Sequence, residues 1–169
     1  MTIGKAVGGG YPVSGVLTTD DISQAAPWSQ MSGSSSSYGG NALGAAAAAA
    51  SLRIIEEERL VDNAREVGGL LLRELAAFED RYPFVGHVSG VGMLLRIELV
   101  SDKTTKEALP RPVTERIFHE CVKQGLLTMA YSAHVRLQPS LTLDAATARN
   151  GIQILRDVFD LVAAERWYA

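Results

Sequence analysis

The apolar pattern that begins at Leu60 constrains the fold of this chain most. Apolar side chains recur at spacings of three and four from Leu60 to Phe78, which predicts an amphipathic helix that stops at Pro83. Gly68 and Gly69 interrupt this pattern at a cost of about 1 kcal/mol each, so we expect close packing or a kink there. A helix of this kind needs other elements to cover its apolar face.

The segments that follow this helix alternate between helix and strand. A strand with Leu95 and Ile97 on one face comes first, and then a helix, two short strands and a final helix capped by Asp144. This order is typical of an α/β layer domain. Residues 59–169 therefore predict a small and complete α/β domain with a partly antiparallel sheet.

Residues 1–58 contain too few elements to complete a sheet core. They predict a glycine-rich loop, a short strand, a serine-rich loop and an alanine-rich helix over 42–58 that Asn41 caps. Because alanine adds almost no bulk, we expect this helix to pack closely and to be buried. The pattern in residues 1–58 therefore indicates a fragment of a larger layered domain.

The charge and cysteine content exclude several classes of function. A formal net charge of −3 gives no reason to expect binding to nucleic acid or to an anionic membrane. A single cysteine, Cys121, excludes an internal disulfide framework and lies in a helical pattern that favours burial. We see no signal peptide, no membrane-spanning run and no metal-ligand spacing, and we expect a cytoplasmic protein without a metal.

Lys5 is the strongest candidate for a reactive residue. It stands among small residues and is followed by glycines at 8–10 and then by Pro12. Glycines let backbone and ligand approach closely, and a lysine amine partly shielded from water is suited to Schiff-base chemistry with a carbonyl. The alternative is an ordinary surface lysine beside a glycine-rich loop.

Four segments in this order carry a family resemblance: GKAVGGGYPVSG, SSSSYGGNALGAAAAAASLRIIEEERLVDNA, GHVSGVGMLLRIELV and HVRLQPSLTLD. Together they resemble the class III aminotransferases, enzymes of fold type I that use pyridoxal 5′-phosphate. The resemblance implies that residues 1–58 are the C-terminal part of the large cofactor-binding domain. Residues 59–169 would then be the small C-terminal α/β domain.

The resemblance also implies roles for individual residues. Lys5 would form the Schiff base with the cofactor and shuttle a proton at the reacting carbon of the substrate. Ser37 would contact the cofactor phosphate of the neighbouring subunit, with Ser36 as the alternative because the serine run leaves the register open. A serine that only caps the following turn is the competing interpretation.

Arg136 corresponds to an arginine that binds a substrate carboxylate in many members of the family. A guanidinium group suits this role because it binds a carboxylate through two parallel hydrogen bonds. The alternative for Arg136 is a surface or interdomain salt bridge. Ser89 stands where the family commonly has an arginine, a departure that bears on substrate choice.

The resemblance implies transfer of an amino group from an amine or ω-amino acid to an oxo acid. The family's glycine-serine phosphate segment, its ring-stacking aromatic residue and its aspartate at the ring nitrogen have no counterpart in these residues. We therefore expect a separate N-terminal polypeptide to complete the site, in a homo- or hetero-oligomer with sites at the dimer interface. A non-catalytic interaction module remains an alternative, as do aminomutase, racemase and phospho-lyase reactions.

Overall fold

The computed structural model describes residues 1–168, with Tyr131 described through its backbone alone. The chain divides into two compact units, Met1–Arg59 and a second unit that begins at Leu60. This division lies one residue from the boundary that the sequence suggests. The assignment of the units to a cofactor-binding domain and a small domain stays a prediction.

The first unit is built from a two-stranded ribbon and a long helix. Antiparallel pairing of its two strands matches Thr2 with Val16 and Gly4 with Ser14. The predicted alanine-rich helix is present, and the Asn41 side chain accepts a hydrogen bond from the Gly44 N–H at 2.7 Å. The elements are β1 (Thr2–Gly4), a 3-10 helix (Lys5–Gly8), β2 (Ser14–Val16), α1 (Asp20–Ser23) and α2 (Ala42–Glu57).

The expectation that α2 is buried is wrong. Gly44 is its one buried residue, while Leu43 and Leu52 are largely exposed. Within this unit α2 packs against the short 3-10 helix and the turn that follows, where Gly44 faces Val13. A ribbon and one turn cannot cover a helix of four turns, so most of its surface stays open.

The second unit is a two-layer α/β structure, which confirms the predicted fold class. Its sheet has the order β3-β4-β7-β6 with β5 beside β4, and the pairs between its described strands are all antiparallel. The elements are α3 (Leu60–Arg81), β3 (Val85–Val91), β4 (Leu94–Asp102), β5 (Glu107–Ala108), α4 (Arg111–Lys123), β6 (Met129–Ser132), β7 (His134–Leu137) and α5 (Ala145–Glu165).

The core of this unit lies between the sheet and its three helices. Leu95 and Ile97 point into it from β4, as the alternation of the strand predicts, and Leu75 and Phe159 meet them from α3 and α5. Full burial of each such side chain contributes about 1.5–3 kcal/mol. Within residues 1–168, we find no helix that is both long enough and apolar enough to cross a membrane.

The paired glycines of α3 permit a close approach of backbone to backbone. A Cβ at Gly68 would lie 2.1 Å from the carbonyl oxygen of Gly92, in the turn between β3 and β4. The close packing expected at this point is therefore confirmed. The neighbouring Gly69 differs, because a Cβ there would meet the flexible Arg73 side chain at 3.3 Å.

Candidate active site

The loop that carries Lys5 is closed by the β1–β2 ribbon. Lys5 directly follows β1, and the chain returns to the ribbon at Ser14. Two backbone hydrogen bonds hold the turn between them, from the Gly9 N–H to the Ala6 oxygen at 3.0 Å and from the Tyr11 N–H to the Gly8 oxygen at 2.9 Å. The position of Lys5 is therefore fixed by backbone pairing on both sides.

The backbone of this loop adopts left-handed conformations that side chains disfavour. Gly9 and Gly10 have φ of 57° and 104°, and a Cβ at Gly9 would lie 2.8 Å from the Ser51 hydroxyl oxygen. Lys5 itself has φ of 54°, which costs a residue with a Cβ about 1–2 kcal/mol. Strain of this kind is frequent at functional positions. The exposed Lys106 has a similar φ of 59°, so what distinguishes Lys5 from a surface lysine is the glycine-rich turn beside it.

An open depression of about 720 Å³ lies beside Lys5, bordered by the turn from Gly10 to Ser14. This volume is in the range of small-ligand sites. Lys5 is exposed, so the partial shielding from water expected of its surroundings is not provided by these residues. The arrangement presents a primary amine at the edge of a space that a small carbonyl compound can enter.

Ser36 and Ser37 are exposed in the loop before α2. The Ser36 carbonyl accepts a hydrogen bond from the Gly39 N–H at 3.1 Å, and Asn41 donates to the Tyr38 oxygen at 3.0 Å. These bonds anchor the serine loop to the N-terminus of α2. Neither serine borders the depression beside Lys5, so the structure does not bring these candidates together within this chain.

Arg136 belongs to the second unit, on β7, where it is exposed. It lies directly opposite Arg96 of β4 in the antiparallel register. Both arginines border one open depression of about 580 Å³, and Arg136 also borders a mostly apolar cavity of about 340 Å³ beside α5. Arg136 is therefore open to a ligand from the sheet face.

Arg96 is a residue that the sequence interpretation missed. The strand prediction places it on the polar face, because it alternates with the buried Leu95 and Ile97. That alternation could have drawn attention to a charged residue at this position. Its pairing with Arg136, 40 residues further along the chain, is decided only by the order of strands in the sheet.

Cys121 and His134, both in the second unit, have pKa values that their surroundings shift. Burial raises the pKa of the Cys121 thiol to about 12, and the charge of Glu120 adds to this effect. Partial burial lowers the pKa of His134, as does the nearby positive charge of Arg96. Through residue 168, no group of three or more metal-binding side chains comes together.

Residues 1–159 match the family model described as aminotransferase class-III. The chain belongs to the class-III aminotransferase family. This confirms the family inferred from the four motif segments. The match includes Lys5, both serines and Arg136, although their individual roles are not tested by it.

Two relatives and one solved structure illustrate the range of the family. The chain is 31% identical over 159 residues to mitochondrial alanine–glyoxylate aminotransferase 2 of Pongo abelii, and covers 92% of itself and 30% of that protein. It is 29% identical over 167 residues to a (R)-1-hydroxy-2-aminoethylphosphonate ammonia-lyase of Vibrio splendidus, and covers 98% of itself and 33% of that protein.

The solved structure is an amine transaminase from an uncultivated Pseudomonas species in its pyridoxal-phosphate-bound form. It superposes with a TM-score of 0.85 at 32% identity, over 95% of this chain and 38% of that one. This likeness confirms the fold class. The class-III chain thus spans between 30% and 38% of the length of these three proteins.

Proposed function

We propose that this chain supplies the lysine-bearing part of a pyridoxal 5′-phosphate-dependent aminotransferase. The complete enzyme would move an amino group from an amine or ω-amino acid to an oxo acid. The observation that carries this proposal is the exposed Lys5 beside its depression, in a chain that belongs to the class-III family. The cofactor-bound state of the similar amine transaminase supports the choice of cofactor.

The surroundings of Lys5 leave room for a carbonyl cofactor. The Lys5 amine is exposed, and a Cβ added at Gly10 would meet no atom within 4 Å, so the space beside the loop is open. Tyr11 and Ser14 place polar groups at the border of the depression. When bound, pyridoxal phosphate supplies an aldehyde that condenses with amines and a ring that withdraws electrons from the reacting carbon.

Lys5 would perform two tasks at this site. Its Nζ would hold the cofactor between turnovers, because a primary amine condenses with an aldehyde. During turnover its free amine would act as the base that shuttles a proton at the reacting carbon of the substrate. Positioned general bases of this kind contribute about 10²- to 10⁴-fold in rate.

Ser37 would donate its hydroxyl to the cofactor phosphate, with Ser36 as the alternative donor. Both lie just before the N-terminus of α2, a helix of 16 residues. Helix N-termini favour anions because their first N–H groups are unpaired and the helix dipole is positive there. Neither serine borders the depression beside Lys5, so we propose that they contact the phosphate of a neighbouring subunit, as the family resemblance implies.

Arg136 would bind a carboxylate of the amino donor or the oxo acid. It is exposed on the sheet face and makes no ion pair with any residue of 1–168. A guanidinium group binds a carboxylate through two parallel hydrogen bonds, which fixes the orientation of the substrate as well as its position.

The rest of the site would come from a polypeptide equivalent to the remaining length of the relatives. We propose that residues 1–58 belong to the large cofactor-binding domain and residues 59–169 form the small domain. The missing part would be a separate N-terminal chain or a continuous one, in an oligomer with sites between subunits. Exposed apolar residues such as Met31 and Tyr38 support the need for further cover.

Borohydride trapping tests the role of Lys5. The chain, alone and together with the complementary polypeptide, is incubated with pyridoxal phosphate and reduced, and the adduct is located by mass spectrometry. We expect the adduct on Lys5 in the two-part preparation. Lys5→Ala should abolish it and lower the rate of amino transfer by at least about 10²-fold.

Lys123→Ala is the matched control, because Lys123 is an exposed lysine paired with Glu120 on α4. It should leave both the adduct and the rate unchanged. An adduct on other lysines alone would refute the assignment of Lys5. Absence of any adduct in both preparations would favour the non-catalytic interaction module instead.

A second reaction class is favoured by one comparison. The similarity to an ammonia-lyase that acts on an aminoethylphosphonate extends over nearly the whole chain. A lyase releases ammonia without an oxo acid acceptor, whereas an aminotransferase forms a new amino acid from the acceptor. Product analysis of the two-part preparation, with and without an oxo acid, separates these two reactions. Racemase activity is tested by whether a chiral amino donor keeps or inverts its configuration.

A further inference from the structure

The sheet face opposite the helices of the second unit carries two arginines side by side. Arg96 on β4 and Arg136 on β7 are register partners, and both are exposed. Side chains directly opposite in an antiparallel pair share one face, with their Cβ atoms about 4.5–5.5 Å apart. The two guanidinium groups can therefore reach the same ligand.

Neither positive charge is neutralised within the part of the chain that the structure describes. The nearest acid along the same face of β4 is Glu98, and its carboxylate lies 3.7 Å from the Lys106 amine. No ion pair joins Arg96 or Arg136 to any residue of 1–168. Because like charges directly opposite in a sheet are destabilising, the pair favours an anion between its members.

The same position has the shape of a binding site. Arg96 and Arg136 border an open depression of about 580 Å³ together with Ser89 and Gly90 of β3. Ser89 is the register partner of Arg96 on its other side, so a hydroxyl donor and two guanidinium groups stand in one row across three strands. No carboxylate is among the residues that border this depression.

We propose that Arg96 and Arg136 together form a subsite for a doubly charged oxyanion. One arginine satisfies a single carboxylate through two hydrogen bonds, so a second arginine beside it provides one further charge and a second set of donors. The group that matches both is a phosphate or phosphonate dianion, or the two carboxylates of a dicarboxylic acid. Arg96 thereby determines specificity at the end of the ligand that Arg136 holds.

As a substrate subsite this proposal rests on the proposed function, whereas binding of the anion alone does not. The test therefore uses the 169-residue chain without cofactor. Methyl phosphate, succinate and acetate are titrated at pH 8 and constant ionic strength, and the arginine side-chain NMR signals are followed. Methyl phosphate is doubly charged at this pH, because the second pKa of such groups is about 6.

We expect methyl phosphate or succinate to bind more tightly than acetate and to shift the side-chain signals of both Arg96 and Arg136. Arg96→Gln should weaken binding of the dianion at least about tenfold, as loss of hydrogen bonds to a charged group predicts. Its effect on acetate should stay within about twofold, because Arg136 alone satisfies one carboxylate. If methyl phosphate binds more tightly than succinate, the ligand of the subsite is a single dianionic group. The reverse order indicates a dicarboxylic acid.

Arg73→Gln is the matched control, since Arg73 is an exposed arginine on α3 and its loss changes the net charge equally. If Arg73→Gln and Arg96→Gln weaken dianion binding equally, the effect comes from the net charge alone and the proposal is overturned. Unchanged dianion affinity in Arg96→Gln would overturn it as well. If the dianion binds but no adduct forms on Lys5, the anion subsite is supported and only its use in amino transfer is refuted.

Thermal unfolding provides a second readout on the same variants. Without anions, Arg96→Gln should unfold at a higher temperature than the parent chain, because two like charges no longer face each other. Methyl phosphate should raise the unfolding temperature of the parent chain and change that of Arg96→Gln much less. Equal stabilisation of both by methyl phosphate would contradict a subsite that needs Arg96.

Discussion

Residues 1–59 and the unit that begins at Leu60 differ most in what they bury. Among residues 1–59, all of them described, the two buried positions are both glycines, Gly8 and Gly44. The second unit buries a continuous core of leucine, valine, isoleucine and aromatic side chains. In it the rings of Phe78, Tyr82, Phe84 and Phe159 form tilted or edge-to-face pairs with centroids 5.1–5.5 Å apart. The second unit therefore has its own source of stability, and the first does not.

The candidate catalytic residue lies in the unit without a core. Lys5 holds a left-handed backbone conformation, which persists only where the surroundings impose it. Those surroundings within residues 1–59 are a three-residue ribbon and one helix, while apolar side chains such as Met31 remain almost fully exposed. The comparison teaches that reactivity and stability are separated in this chain, and that the reactive part depends on cover from further polypeptide.

Two tryptophans allow the units to be followed separately. Trp28 lies in the first unit and Trp167 in the second, where it stacks under the Arg116 guanidinium at 3.5 Å. Trp28→Phe leaves a fluorescence probe of the second unit, and Trp167→Phe leaves a probe of the first. Each variant below is measured in the background whose tryptophan lies in the same unit as the substitution.

The largest expected effect comes from truncation of the same residue type in each unit. Leu75 is 0% exposed in the core, so Leu75→Ala should lower the free energy of unfolding by about 2–5 kcal/mol, as measured by urea denaturation with the Trp167 probe. Leu52 is 56% exposed on α2, so Leu52→Ala, followed with the Trp28 probe, should stay within about 0.5 kcal/mol. Similar losses for both variants would break the comparison, because the first unit would then have a core of its own.

A smaller effect is expected at the paired glycines of α3. Gly68→Ala places a Cβ against the Gly92 carbonyl and should cost about 1–3 kcal/mol of overpacking in the same urea experiment. Gly69→Ala is the control, and it should be neutral or stabilise the helix by up to about 1 kcal/mol, because alanine is the better helix former. Tolerance of alanine at both positions would show that the packing of this unit is looser than its contacts indicate.

The smallest expected effect is a difference in how the stability contributed by each unit's helix cap depends on pH. The pKa of Asp144 is held below its ordinary value by hydrogen bonds from the Thr147 N–H, the Thr147 hydroxyl and the Ala146 N–H. A lowered pKa in the folded state gives stability that is present above the ordinary pKa and is lost as the pH falls through the lowered value. Asp144→Asn keeps the cap acceptor without its charge, so its stability should fall less steeply below about pH 4.

The cap of α2 supplies the contrast for that measurement. Asn41 does not titrate, so the α2 cap should contribute no change over the same pH range. Acid titrations of the parent chain and of Asp144→Asn, each followed with the Trp167 probe, measure the difference. Parallel titration curves for the two proteins would show that the α5 cap does not contribute to acid stability.

The sequence predicted the helices of this protein well. The spacing from Leu60 to Phe78 located α3, and single capping residues located α2 and α5, because helix periodicity and capping are local properties. The sheet was harder to predict. β3 was not recognised as a strand, since Ser89 and Gly90 weaken its alternation and only its pairing with β4 defines it as a strand.

For the candidate site, the sequence by itself determined the family and the identity of Lys5, Ser36, Ser37 and Arg136 as candidates, because motif order is a property of the chain. Their roles stay predictions. Only the tertiary structure decided that α2 is exposed, that Lys5 holds a left-handed backbone, and that Arg96 faces Arg136. The physical reason is that burial, backbone strain and strand order depend on residues distant in sequence, which a local pattern does not specify.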